Sequence, residues 1–173
     1  FLSPDQLPVT FQTDLDGDPR IADGSDFDAL QNGFAAWTAV PGVDLAGGDD
    51  GTRSGPANAV SGDARNSVTF SDPDGYIPGV LGVTFVTYVL EDTVIGGRAY
   101  RPGEIVDADL AFNALQFAFS TDTHDAGPGA WDLQALATHE FGHLFGLSHS
   151  SIPDATMFYV VPRGTSFRTL GED

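Results

Sequence analysis

The sequence predicts an α+β fold, on three observations. Two stretches carry apolar side chains at helical spacing: Phe27, Leu30, Phe34 and Trp37 early in the chain, then Leu133, Leu136, Ala137, Phe141, Leu144 and Phe145. Around and between them lie short runs of strand character, at Val9–Thr13, Asn66–Phe70, Val80–Leu90 and Ile105–Phe112. The third observation is size: 173 residues, 41% apolar with 13 Phe and no cysteine, suffice for one domain with a core that needs no disulfide.

Taken in order, Val9–Thr13 alternates and reads as a strand. Asp14, Asp16 and Asp18 follow in a turn that starts like a calcium loop. Pro19 then stands where such a loop needs glycine, and Ser25 where it needs glutamate. The alternatives are a calcium site and an Asp-rich turn. Ser25, with Asp28 three places on, reads as an N-cap with a capping-box partner, and the helix it opens runs to about Val40 as a core element. Residues 41–65, rich in Gly, Asp, Ala and Ser, read as loop or weak strands. Asn66–Phe70 is a strand ending in the turn Asp72–Pro73–Asp74–Gly75. Val80–Leu90, β-branched and aromatic, is the strongest strand signal present. Ile105–Phe112 follows after a Gly-rich turn at 96–97 and a Pro–Gly at 102–103. In the loop Thr121–Asp125, His124 is either a metal ligand with Asp122 or Asp125, or a surface histidine. Gly127–Pro128–Gly129 separates it from the second helix, which Asp132 is placed to cap.

The net charge is −18, from 25 acidic residues against seven arginines. Such a field excludes nucleic acid and anionic membrane as natural partners, and it suits a solvated acidic surface or attraction to basic substrates. No run approaches the ~18 apolar residues of a membrane-spanning helix, so no membrane insertion is expected. No basic-then-apolar leader is present, and the chain opens on Phe1 rather than Met.

The chemistry is concentrated on the second helix. His139–Glu140–Phe141–Gly142–His143–Leu144–Phe145–Gly146–Leu147–Ser148–His149 spells H-E-x-x-H-x-x-G-x-x-H, and three of the chain's four histidines fall in it. Residues four apart share a helix face, so His139 and His143 can aim ring nitrogens at one ion. Gly146 lacks Cβ, can end the helix at positive φ and can bring His149 round to the same ion. Three imidazoles with an open fourth position describe a catalytic zinc, and the Glu140 carboxylate is placed to take a proton from a water acidified by the metal. The alternative is a core helix whose histidines serve packing alone.

The eleven-residue motif resembles that of the metzincin metallopeptidases. Eight residues beyond His149 stands Met157, in Asp154–Ala155–Thr156–Met157–Phe158–Tyr159, which resembles their Met-turn. Ser150 after the third histidine, together with Gly-Leu-Ser-His-Ser, resembles the matrixin branch. Gly79–Phe85 is similar to the matrixin edge strand above the cleft, and Asp107–Asn113 to the strand after it. The resemblance implies a zincin-like fold: a twisted, mostly parallel sheet with one antiparallel edge strand, backed by an early helix and the zinc helix. It implies one domain over residues 1–173, with an N-terminal part to about 146 and a small C-terminal part, about 147–173, carrying the Met-turn. It further implies a zinc endopeptidase acting on proteins or peptides, with His139, His143 and His149 as ligands, Glu140 as base, and Leu81 and Gly82 nearest the scissile bond. A secreted or extracellular location goes with it.

There are departures. Animal matrixins hold a second zinc through histidines on these strands; the corresponding positions here are Val83 and Asp109, so that site is not expected. Without cysteine, no thiolate of these residues can mask the metal, and a simpler single-domain bacterial member is the expected relative. Tyr159 either reaches the oxyanion, as in astacins and serralysins, or lines the substrate pocket, whose neighbours Phe158, Val160, Val161 and Pro162 suggest an apolar preference. Leu170–Gly171–Glu172–Asp173 matches the opening of the final matrixin helix and stops, so that helix is either cut off or missing by nature. A non-catalytic module that keeps zinc for stability or to hold a partner, and a metzincin of another branch using Tyr159, are the competing functions.

Overall fold

In the computed structural model, residues 1–54, 62–71, 75, 77–122, 129–161, 163 and 168–171 are described. The elements run β1 (Val9–Asp14), α1 (Ser25–Thr38), β2 (Gly47–Ser54), β3 (Asn66–Thr69), β4 (Gly82–Tyr88), β5 (Thr93–Ile95), β6 (Arg98–Tyr100), β7 (Ile105–Phe112), β8 (Ala118–Ser120), β9 (Ala130–Asp132) and α2 (Leu133–Leu144). Five strands form one sheet in the order β2–β1–β3–β7–β4. The first four are mutually parallel, and β4 runs antiparallel to β7 at the edge. This is the zincin-like α+β architecture, with the antiparallel edge strand where the sequence resemblance places it.

Position in the sheet explains residue choice. Central β7 is buried along its whole length, as a strand covered on both faces must be. Ala108, Leu110 and Phe112 point to the helices and join Val9, Phe11, Leu30, Phe34, Trp37, Leu136, Phe141 and Leu144 in the main core. On the opposite face Ala111 packs with Ile77, Val83 and Phe85. Phe11, Phe34 and Phe141 lock sheet, α1 and α2 together, with ring centroids 4.8–5.5 Å apart. Trp37 Nε1 donates to the Thr138 carbonyl at 2.7 Å, fixing α1 against α2. The helix stripes and the four strands read from the sequence are thus core elements.

One local expectation is corrected and two open ones are narrowed. Ser25 is the first residue of α1 rather than its cap: Gly24 holds the cap position, with no side-chain cap bond. Asp23 gets there first, its Oδ1 accepting from the Ser25 N–H at 3.1 Å and from its hydroxyl at 2.7 Å. Of the loop or weak strands read at 41–65, residues 47–54 are a parallel strand beside β1, with a register shift between Phe11 and Thr13. Asp14, Asp16 and Asp18 are not gathered around a common point. Asp14 is buried, accepting from the Thr69 hydroxyl and from the Phe70 N–H at 3.2 Å. Asp18, also buried, accepts from the Arg20 N–H at 3.0 Å and pairs with its guanidinium. Asp16 is exposed. Donors of the fold engage Asp14 and the Oδ1 of Asp18, while the buried Oδ2 of Asp18 has no hydrogen-bond partner among the described residues. The turn at 72–74, His124 with Asp125, Gly127–Pro128, Pro162 and Glu172–Asp173 lie outside the described residues.

Candidate metal centre

Helix α2 begins where expected. Asp132 Oδ1 accepts from the Ala135 N–H at 2.7 Å, while its Oδ2 pairs with the Arg168 guanidinium at 2.6 Å. One carboxylate therefore caps the helix and ties the C-terminal segment to it. From that start Phe141 and Leu144 face the core, and His139, Glu140 and His143 fall on the cleft side. After Leu144 the helix stops, and Gly146 takes φ +90, a left-handed conformation that L side chains rarely adopt. The turn it makes carries His149 back to the helix.

The ring nitrogens of His139, His143 and His149 lie within 4.8 Å of one another, the one such convergence of metal-ligating side chains among the described residues. His143 Nε2 and His149 Nε2 are 3.2 Å apart. Two nitrogens each at about 2.0–2.1 Å from one tetrahedral zinc stand roughly 3.3 Å apart, so the spacing fits. Main-chain carbonyls hold the other nitrogens: His139 Nδ1 donates to Thr156 and His143 Nδ1 to Leu147, each at 2.8 Å. Those bonds select the tautomer whose Nε2 lone pair points at the cluster. Burial pulls His139 down to about 4, helped by its two histidine neighbours and opposed by the Thr156 bond. His143 is lowered too, chiefly by burial and then by His149. At neutral pH these rings are uncharged, as ligands must be. The donor set suits zinc.

The Met-turn residues fall under this helix. Met157 is 2% exposed, and a Cβ on Gly142 would lie 2.2 Å from its Sδ and 2.8 Å from Trp37 Cζ2. Glycine between Phe141 and His143 is thus what lets the methionine close against α2. The turn is drawn together by Phe158 N–H to Ala155 O at 3.0 Å and by Ser150 N–H to Met157 O at 2.7 Å. Its Thr156 carbonyl is the one that orients His139.

Glu140 is buried, and burial pushes its carboxyl up to about 7. Thr84 on β4 works the other way: its hydroxyl lies 2.7 Å from Oε2 and 3.0 Å from the Glu140 main-chain oxygen. A hydroxyl has one proton and two lone pairs, so Thr84 can donate to the charged carboxylate or accept from the protonated one. On the same face of β4, a Cβ at Gly82 would sit 3.4 Å from Glu140 Oε1, leaving that oxygen beside bare backbone.

A cavity of about 660 Å³ joins these groups, lined by Gly82, Thr84 and Val86 of β4 and by Glu140, His143 and His149. Among the described residues no strand pairs with the edge above it. The Asn113 N–H donates to the Leu81 carbonyl at 2.8 Å, making 81–113 a bonded pair of the antiparallel ladder. Such pairs alternate, so the main-chain groups of Gly82, Thr84 and Val86 point away from β7 to the open edge. Of the two edge residues expected from sequence, Gly82 is therefore at the cleft. Leu81 spends its carbonyl on Asn113 and packs on the core. Tyr159 is 65% exposed, packs its ring at a tilt against Phe158 with centroids 4.4 Å apart, and does not line the cavity. Sequence reasoning missed Thr84, Val86 and Asn113. The side chain of Asn113 binds the Ile77 and Val80 carbonyls ahead of the edge strand.

The sequence pattern of the Matrixin family matches residues 90–173. Matrilysin of Mus musculus is 40% identical over 70 residues, covering 40% of this chain and 25% of that protein. Metalloendoproteinase 1 of Glycine max is 34% identical over 79 residues, 44% of this chain and 25% of its own length. Interstitial collagenase of Equus caballus is 25% identical over 130 residues, 75% of this chain and 22% of the collagenase. The chain thus spans a quarter or less of the length of these relatives. The matched segment contains β7, α2, the three clustered imidazoles, Glu140 and Met157. The fold and the histidine cluster agree with that match: over residues 90–173 the chain is similar to the Matrixin family.

Proposed function

We propose that the chain is a zinc-dependent endopeptidase of proteins or peptides, and that residues 1–173 are one catalytic domain. Its N-terminal part reaches about 146, and 147–173 is the small part bearing the Met-turn. The observation that carries this reading is the placing of three converging imidazoles and one buried carboxylate beneath an antiparallel strand edge that no described strand pairs.

The substrate lies extended along β4 and pairs with the outward main-chain groups of Gly82, Thr84 and Val86, which brings one peptide bond over the histidine cluster. His139, His143 and His149 hold the zinc, which when bound acidifies water and polarises the scissile carbonyl. Glu140 receives the proton of the attacking water and delivers it to the amine nitrogen as the C–N bond breaks. Burial keeps the proton affinity of this carboxylate high, which favours the uptake half of that task. Phe158 and the exposed Val160 put an apolar surface beside the Met-turn, consistent with an apolar preference next to the cut. Calcium has no gathered ligand set among the described residues.

A secreted or extracellular setting accompanies this reading. No helix of the described residues is long and apolar enough to cross a membrane. Glu140→Gln is the test. The variant should keep one zinc per chain and lose about 10²–10⁴-fold in kcat, the usual contribution of a general base. Undiminished turnover would remove Glu140 from its role. A wild-type chain that holds zinc in a closed four-ligand site and cleaves nothing would favour the non-catalytic module.

A further inference from the structure

We propose that Thr84 is a positioning residue that holds the Glu140 carboxylate for proton transfer, a role that rests on the endopeptidase reading. Glu140 Oε2 has the Thr84 hydroxyl at 2.7 Å, from a neighbouring strand rather than from its own helix. That hydroxyl is also 3.0 Å from the main-chain oxygen of the same glutamate; its one proton serves the carboxylate when that is charged, and the main-chain oxygen when the protonated carboxyl donates to Thr84. With Oε2 engaged, the two-fold rotation about the last side-chain bond is suppressed, and Oε1 stays on the Gly82 side of the cleft. Glutamate has three rotatable side-chain bonds, and α2 alone fixes none of them at the carboxylate. An unheld carboxylate would sample positions in which the attacking water is out of reach, and small misplacement is costly in such steps.

The placing of Thr84 follows from the ladder. Gly82, Thr84 and Val86 share the face of β4 turned to α2, while Val83 and Phe85 pack on the other face. The same residue therefore offers its main chain to the open edge and its hydroxyl to the glutamate. Substrate pairing along β4 and the aim of the proton acceptor are set by one strand.

The test compares the zinc-loaded wild type with T84V, which keeps shape and strand preference but has no hydroxyl, and T84S, which restores it. Peptide hydrolysis by T84V should fall about 10-fold in kcat, with KM within about 2-fold and one zinc per chain, and T84S should recover to within about 3-fold of wild type. A second readout needs neither metal nor activity. In the metal-free protein, T84V should lower the unfolding midpoint, and this drop should shrink when T84V is made in the E140A background, where only the main-chain contact of the hydroxyl remains. Wild-type kcat in T84V, a T84S as impaired as T84V, or equal midpoint drops in both backgrounds would each overturn the proposal. A wild type that cleaves no peptide would sink the endopeptidase reading and this role with it; an active wild type beside an unimpaired T84V sinks the positioning role alone.

Discussion

Gly142→Ala separates two opposing effects whose sizes are known. Mid-helix, alanine is favoured over glycine by about 1 kcal/mol, so helix propensity alone predicts a stabilised protein. The added methyl, however, would stand 2.2 Å from Met157 Sδ and 2.8 Å from Trp37 Cζ2, where ordinary contact begins near 3.4 Å. The methionine tip can swing aside, but the indole is buried and pinned by its 2.7 Å bond to the Thr138 carbonyl. Overpacking of this kind costs about 1–3 kcal/mol, which should outweigh the propensity gain and leave a net loss of about 1 kcal/mol. A second consequence is sharper. Moving Met157 moves its neighbour Thr156, whose carbonyl holds His139 Nδ1 at 2.8 Å. Disturbing such a second-shell bond typically lowers metal affinity 10–100-fold. Urea unfolding of the metal-free protein and zinc titration against a competing chelator measure the two effects. A variant stabilised by about 1 kcal/mol with unchanged zinc affinity would refute the packing argument.

Other outcomes follow from single contacts. Arg168→Ala leaves the fully buried Asp132 side chain without its cation, which should cost about 3 kcal/mol of stability in urea unfolding. A loss under about 0.5 kcal/mol would show that capping alone satisfies Asp132. Asp107 is pushed up to about 7, first by burial and then by Asp109 and Asp63. Its folded pKa lies above the unfolded value, so the fold holds the proton more tightly and loses stability as pH rises from about 4 through 7. Asp107→Asn should flatten that decline and be the more stable form at pH 8; an unchanged pH profile would contradict the assignment. His139, drawn down to about 4, acts in the opposite sense: stability of the metal-free protein should be lost as pH falls from about 6.5 toward 4, and H139A should shrink this acid limb to the part that His143 supplies. An acid limb unchanged in H139A would assign it elsewhere.

How much could be read beforehand depended on how local each interaction is. His139, Glu140 and His143 are fixed by one helical turn, and Gly146 and His149 by the turn after it, so spacing alone was enough. The same holds for Asp132, whose bond to Ala135 is three residues away. Thr84 meets Glu140 across 56 residues and Asn113 reaches back more than 30, contacts that only the packed sheet creates. Strand β2 was obscure because parallel pairing with β1 uses backbone groups, which leave no hydrophobic period in a Gly–Asp segment. The acidic turn left two alternatives open for a related reason. Asp14, Asp16 and Asp18 have the spacing of cation ligands, yet Thr69, Phe70 and Arg20, distant or unweighed in the pattern, supply donors for two of them. Ser25 was displaced as cap by an acid two residues ahead, a competition that propensity does not rank.

The central claim is that three imidazoles share one zinc and leave it an open position. Zinc analysis with X-ray absorption on the purified chain addresses it directly. One ion per chain, with three nitrogen scatterers near 2.0–2.1 Å and one exchangeable oxygen, is the expected result, and His149→Ala should lose both metal and one nitrogen. Substoichiometric zinc, or a nitrogen count unchanged in H149A, would contradict it.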